Sequence, residues 1–304
     1  MSNLKVFRMR GGHVTEVSGS SVDVEVELQR LIEANMETTL GIRFLATEYR
    51  TGRHGGRIDS LGLDENGTPV IVEYKRHRDQ GAISQGLSYL CWLQDHHHEY
   101  ENLVRQKLGT EAAEEVNWTA PRVVCIAGAF THHDTVAVEM VPHRIDLVTY
   151  RVFDDVLTLQ LVKSVSGTGS SARGTTPGTA RPDSSAPKPV QRYLDEAPVD
   201  LKALYADLDE LLLSHRDVQM EPQLHYFAYR RIKNVATVRV QPGKQRLVVN
   251  LRLDPDTVDL CEGFTRDMRG LGCLGIQDGI EVSIASREQL ARARDLIQRS
   301  IDAG

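Results

Sequence analysis

The stretch GGRIDSLGLDENGTPVIVEYKR, residues 55–76, decides the reading of this chain. Asp64-Glu65-Asn66-Gly67 has the composition of a tight turn, because Asn-Gly supplies the positive φ angles that short hairpins need. The turn joins two strands, Arg57–Asp64 and Pro69–Lys75. Side chains alternate along a strand, so Glu73 and Lys75 share one face, and Asp59 on the neighbouring strand can point to the same side. Two carboxylates and one ammonium then converge near a strand end. Apolar neighbours such as Ile71 and Val72 make this a poor place for charge unless the charge is used.

Outward from the hairpin, the pattern predicts a mixed α/β domain. Lys5–Arg10 and His13–Val17 read as a short hairpin around Gly11-Gly12. Asp23–Thr39 reads as a helix, since Val24, Leu28, Leu31, Ile32 and Asn35 fall near 3.6-residue spacing, with Gly41 as a stop. A strand is expected at Ile42–Arg50, ahead of the hairpin. Gln80–Leu108 reads as helix, in one or two pieces. Arg122–Ala129 is a continuously apolar run, as in a strand covered on both faces. A helix over Asp134–Val141 and a strand over Ile145–Phe153 complete the series. The order α-β-β-β-α-β implies a mixed sheet flanked by helices.

From Ser166 to Val190 every residue except Arg173, Arg181, Asp183, Lys188 and Val190 is Gly, Ser, Thr, Pro or Ala. Such a stretch cannot build a core and reads as a flexible linker. The expected division is 1–165, a linker over 166–192, and a small α+β domain over 193–304. In the latter, a helix is expected at Leu201–Leu213, then strands at His225–Tyr229, Val235–Val240, Arg246–Leu253 and Glu281–Ala285. Ser286 should cap a last helix, Arg287–Ile301. The run Tyr226-Phe227-Ala228-Tyr229-Arg230-Arg231-Ile232-Lys233 interleaves aromatics with bases, as on a nucleic-acid platform, but alternating aromatics are also ordinary strand core, and a mainly structural role is the favoured reading.

The convergent acids carry the chemistry. Two carboxylates are hard oxygen ligands suited to Mg2+ or Mn2+. With Lys75 beside them, the expected reaction is phosphodiester hydrolysis. A surface salt-bridge ladder is the plain alternative. Gly52-Arg53-His54-Gly55-Gly56-Arg57 is a glycine-rich basic loop just before the Asp59 strand. Arg53, His54 and Arg57 there could hold a DNA phosphate, and Arg76 and Arg78 extend the basic character past Lys75. His96-His97-His98 does not read as a metal site, because successive helical residues point about 100° apart. Solvent-exposed histidines are expected there and at His132-His133.

Asp59, Glu73-x-Lys75 and a following helix bearing Gln85-x-x-x-Tyr89 resemble the PD-(D/E)XK nuclease superfamily. The wording of residues 55–76, followed by Gln85-Gly86-Leu87-Ser88-Tyr89, resembles the nuclease domain of the NucS-like (DUF91) endonucleases, over about Asp23 to Phe153. The second domain resembles the small DUF5655 domain. The resemblance implies a restriction-endonuclease-like fold and a metal-dependent DNA endonuclease of repair or of defence against foreign DNA. Asp59 and Glu73 would be metal ligands and Lys75 the catalytic lysine. Glu27, on the first helix, would hold a metal-bound water or a second metal. Gln85 would position the site, and Tyr89 would line the same face and contact nucleic acid. Ile58 stands where the namesake proline of the motif would be.

The chain has 304 residues, 36 basic against 42 acidic and a net charge of −6, which excludes a non-specific polycationic DNA coat and fits a local basic cleft. No apolar run is long enough for a membrane span, and the N-terminus lacks the apolar core of a secretory signal. Cys91, Cys125, Cys261 and Cys273 are widely spaced and read as free, buried thiols, so a cytoplasmic protein is expected. A homodimer is expected because two equivalent sites best cut both strands of a duplex.

Overall fold

The computed structural model describes residues 4–20, 25–52, 55–75, 81–166, 190–271, 275–276 and 278–304. The linker-like stretch 167–189 and the basic residues Arg53, His54, Arg76 and Arg78 lie outside the described residues, as does Cys273. Contacts divide the chain into two units, Met1–Ser171 and Ala172–Gly304, each with its own core.

In the first unit, β1 (Val6–Arg10) and β2 (His13–Val17) form the expected hairpin, and β3 (Gly19–Ser20) follows. The expected first helix is two pieces, α1 (Glu25–Ala34) and α2 (Met36–Leu40). The break falls at Asn35, whose side-chain amide donates to Leu31 O and whose own carbonyl accepts from Thr39 Oγ1. Asn in this position offers the backbone an alternative to continuing the helix. Gly41 then stops α2 at φ +65°, a left-handed cap that costs glycine nothing.

Next come β4 (Ile42–Arg50), β5 (Arg57–Asp64), β6 (Pro69–Lys75), α3 (Gly81–Asp95), α4 (His97–Leu108), α5 (Thr110–Glu114), β7 (Arg122–Ala127), α6 (His132–Glu139), β8 (Arg144–Phe153) and β9 (Val156–Ser166). The sheet runs β4-β5-β6-β7-β8-β9, with β3 beside the end of β8. β4, β5 and β6 pair antiparallel, while β6, β7 and β8 are parallel. Every residue of β7 and the first six of β6 are buried, as the apolar run predicts for strands covered on both faces.

α3 and α4 pack on the face made by Leu61, Leu63, Ile71, Val123, Cys125, Ile145 and Leu147. α1 meets the other face, where Glu33 reaches Ser60 and Ser60 reaches Tyr74. Mixed sheet, helices on both sides and α-β-β-β-α-β order are thus as expected. β9 was not expected, although Leu157, Leu159 and Leu161 alternate with polar residues.

In the second unit, α7 (Val190–Asp195) and α8 (Val199–Leu213) precede β10 (Gln219–Pro222), β11 (Phe227–Arg230), β12 (Asn234–Gln241), β13 (Arg246–Leu251), β14 (Thr265–Asp267), β15 (Ile280–Ile284) and α9 (Arg287–Ala303). The strands form an antiparallel sheet, β10-β11-β12-β13-β15-β14. Its core joins Leu204, Leu208 and Leu212 of α8 to Ile297 and Ile301 of α9. Ser286 caps α9 by accepting from the Gln289 N–H.

The aromatic-basic run of β11 is interior. Tyr226, Phe227, Tyr229 and Arg230 are all buried, and Arg230 pairs with Glu221. That placement removes the nucleic-acid platform reading.

Candidate active site

β5 and β6 pair only from Ser60↔Val72 to Leu63↔Pro69. Beyond that point β5 continues to Arg57 beside β4, and β6 continues to Lys75 beside β7. The two strands therefore part, and Asp59 and Glu73 occupy the notch between them. Side chains take over the bonding there. The Asp59 N–H donates to Glu73 Oε1 at 3.3 Å, and the Tyr74 N–H donates to Asp59 Oδ2 at 3.1 Å.

The electrostatics follow from this crowding. Burial raises the Glu73 carboxyl to about 8, with the Asp59 charge as the next cause, opposed by the Asp59 N–H and the Lys75 ammonium. Burial also raises Asp59, opposed by the Tyr74 N–H and the charges of Lys75 and Arg57. Each carboxyl thus acts on the titration of the other. Two neighbouring acids, one of them protonated near neutrality, form a donor set that a hard divalent cation fits in place of that proton. Among the described residues no cluster of three or more His, Cys, Asp or Glu is poised around one point.

The remaining expected site residues are placed as follows. Lys75 ends β6, half-buried, with its charge felt by both acids. Arg57 is exposed at the start of β5 and pairs with Glu48 at 3.3 Å. Tyr89 is buried on α3, and its hydroxyl oxygen accepts from the Arg57 N–H at 3.2 Å. Its ring lies against Gly56, where a Cβ would stand 2.4 Å from Tyr89 Cε1. Thr51 closes the same loop, its N–H and hydroxyl both donating to Gly56 O. Tyr89 thus anchors the entry to β5.

Gln85 is exposed on α3, and Glu27 is exposed on α1. Leu28, Gln29 and Ile32 are the buried positions of α1, so Glu27, two residues from Gln29, lies on the far side of the helix. The residues by which α1 reaches β5 are Gln29 and Glu33. Sequence reasoning passed over both, because Gln29 sits in an acidic helix and Glu33 read as one solvated acid among several. Their signal was the i, i+4 spacing beside Leu28 and Ile32.

Among the cysteines, Cys91 is exposed, Cys261 is half-buried and Cys125 is fully buried across from Glu73. Exposure of Cys91 corrects the expectation of buried thiols. The histidine run is also more packed than expected: His96 stacks on Trp92 and His97 on Trp118, with only His98 fully in solvent.

No known family profile matches the chain. An uncharacterised protein of Haemophilus influenzae is 25% identical over 309 aligned residues, covering 98% of this chain and 99% of that protein. Among solved structures, a repair endonuclease from Pyrococcus abyssi is similar over 40% of this chain and 45% of its own, at 21% identity and a TM-score of 0.24. A complex of EndoMS with double-stranded DNA is similar over 39% of this chain and 44% of its own, at 23% identity and a TM-score of 0.22. This chain therefore spans less than half the length of those structures. Among the described residues no helix is long and apolar enough to cross a membrane.

Proposed function

We propose that this chain is a Mg2+- or Mn2+-dependent endonuclease that hydrolyses phosphodiester bonds of DNA. The observation that carries the reading is the notch in which the carboxylates of Asp59 and Glu73 replace the β5–β6 ladder by accepting from the Tyr74 and Asp59 N–H groups, with the Lys75 charge beside them. Asp59 and Glu73 hold the ion. When bound, it offsets charge on the phosphate and lowers the pKa of a water. Lys75 adds an ammonium where negative charge develops on the phosphate.

Arg57 contacts the DNA backbone, and Arg53, His54, Arg76 and Arg78 add further phosphate contacts. Tyr89 sets the Gly56–Arg57 main chain. Gln85 faces solvent, where contact with the nucleic acid is its remaining part, while Glu27, on the far side of α1, is left out of the surroundings of the ion. The reading places the protein in the cytoplasm, as a homodimer, in DNA repair or in defence against foreign DNA.

The test incubates plasmid and single-stranded DNA with the full chain in Mg2+, Mn2+ or EDTA, beside Lys75→Ala. Cleavage that needs the ion and disappears in the variant is the expected result. DNA binding without cleavage under every ion would make the chain a nuclease-fold binding module instead.

A further inference from the structure

Asp59 is held by its main chain as well as by its carboxylate. The register of β4 against β5 passes from Thr47↔Ser60 to Tyr49↔Ile58, which sets Glu48 across from Asp59. Glu48 has φ +47°, a left-handed conformation that is strained for a residue with a side chain. At this irregularity the Asp59 carbonyl accepts from Gln29 Nε2 at 2.9 Å. With its N–H given to Glu73, both main-chain groups of Asp59 are bonded by side chains, where a regular strand bonds to its neighbour.

Gln29 is itself tightly placed. It is 7% exposed on α1, and the same amide nitrogen reaches Glu33 Oε1 at 3.0 Å and Thr47 Oγ1 at 3.2 Å. Glu33 Oε1 in turn accepts from Ser60 Oγ at 2.6 Å, and the Tyr74 hydroxyl lies 3.3 Å from Ser60 Oγ, which is free to accept from it. The network ties α1 to the residue after each candidate ligand, Ser60 after Asp59 and Tyr74 after Glu73. The two acids thus stand on a polar support reached from the opposite face of the sheet.

We infer that Gln29 is a positioning residue: through its hydrogen bond to the Asp59 carbonyl it fixes where the Asp59 carboxylate stands, and so sets the affinity of the notch for a divalent cation. The inference rests on the proposed metal site. An amide is suited to the task because one nitrogen donates to a carbonyl while remaining neutral beside Glu33. Leu at this position fills similar space but leaves the Asp59 carbonyl without its donor, and Glu cannot donate from its carboxylate.

The experiment measures Mn2+ binding to the full chain by isothermal titration calorimetry without DNA, together with melting temperature and the Mn2+ concentration for half-maximal plasmid cleavage. Gln29→Leu and Gln29→Glu are compared with Thr47→Val, which removes another acceptor of the same amide and spares the Asp59 contact. Loss of a residue that orients a ligand weakens metal binding by roughly 10- to 100-fold. Weakening of that size is expected in whichever Gln29 variants remain folded, with kcat at saturating Mn2+ partly retained and Thr47→Val close to wild type.

Three results would overturn the inference: unchanged Mn2+ affinity in a folded Gln29 variant, an equal loss in Thr47→Val, or both Gln29 variants failing to fold, which would make the residue a structural one. If wild type binds no Mn2+, the proposed function fails with it. If wild type and Thr47→Val bind normally while Gln29→Leu does too, only the positioning role fails.

Discussion

Glu73 and Asp59 are the residues whose titration reports on the site. Both carboxyls stand above their ordinary range in the metal-free fold, Glu73 rising from 4.5 to about 8. Protonated acids suit this notch and ionised ones do not, so the stability they contribute is full below the unfolded carboxyl pKa and is lost as pH rises through the folded value. Metal-free protein should therefore melt at lower temperature as pH climbs from about 5 to 8, and Glu73→Gln should flatten that slope. A melting profile equally steep in the variant would show that Glu73 is not the group responsible. A second residue-scale prediction concerns Arg122, buried between Asp64 at 3.4 Å and Asp146 at 2.7 Å. Arg122→Ala leaves two buried carboxylates without their cation and should cost about 3–5 kcal/mol by chemical denaturation. These charges lie at the start of β7, three residues before Cys125, which stands across from Glu73, so the folded fraction should keep its metal affinity.

At the scale of elements, α3 meets the sheet through a glycine. A Cβ on Gly86 would stand 2.6 Å from Val123 Cγ1, so Gly86→Ala must push the helix off β7. Alanine ordinarily favours a helix by about 1 kcal/mol over glycine. Here overpacking should outweigh that and destabilise by about 1–3 kcal/mol, seen as a lower denaturation midpoint. The same elements show what the sequence made legible. β4, β5 and β6 have the boundaries expected from their apolar patterns and the Asn66-Gly67 turn, and the notch acids follow from strand alternation. The parting of β5 from β6 was not legible, because it is expressed in missing ladder bonds and side-chain substitutes, which leave no periodic trace. Nor was the orientation of α1. Glu27, Glu33 and Glu37 are alike in sequence, and only packing of Leu28 and Ile32 determines which acid turns inward. The break at Asn35 was lost for a related reason, while at Tyr226–Arg230 the sequence left core and nucleic-acid readings open and burial decides for core. A short polar side chain can end a helix or sit on it, and an aromatic-basic strand reads alike whether it faces nucleic acid or core.

For the whole molecule, two separate cores imply two separately stable bodies. The core of the second unit draws on Val190, α8, strands β11, β12, β13 and β15, and α9, all within that unit. Residues 190–304 expressed alone should therefore show a cooperative thermal transition, and a fragment that stays unfolded would show that the unit needs the first. The central claim, however, concerns the notch of the first unit. Its most direct test is anomalous diffraction from crystals of the full chain soaked in Mn2+. The account predicts a peak within coordinating distance of both carboxylates, about 2.0–2.3 Å. Crystals saturated with Mn2+ that show no peak between the two carboxylates would contradict it.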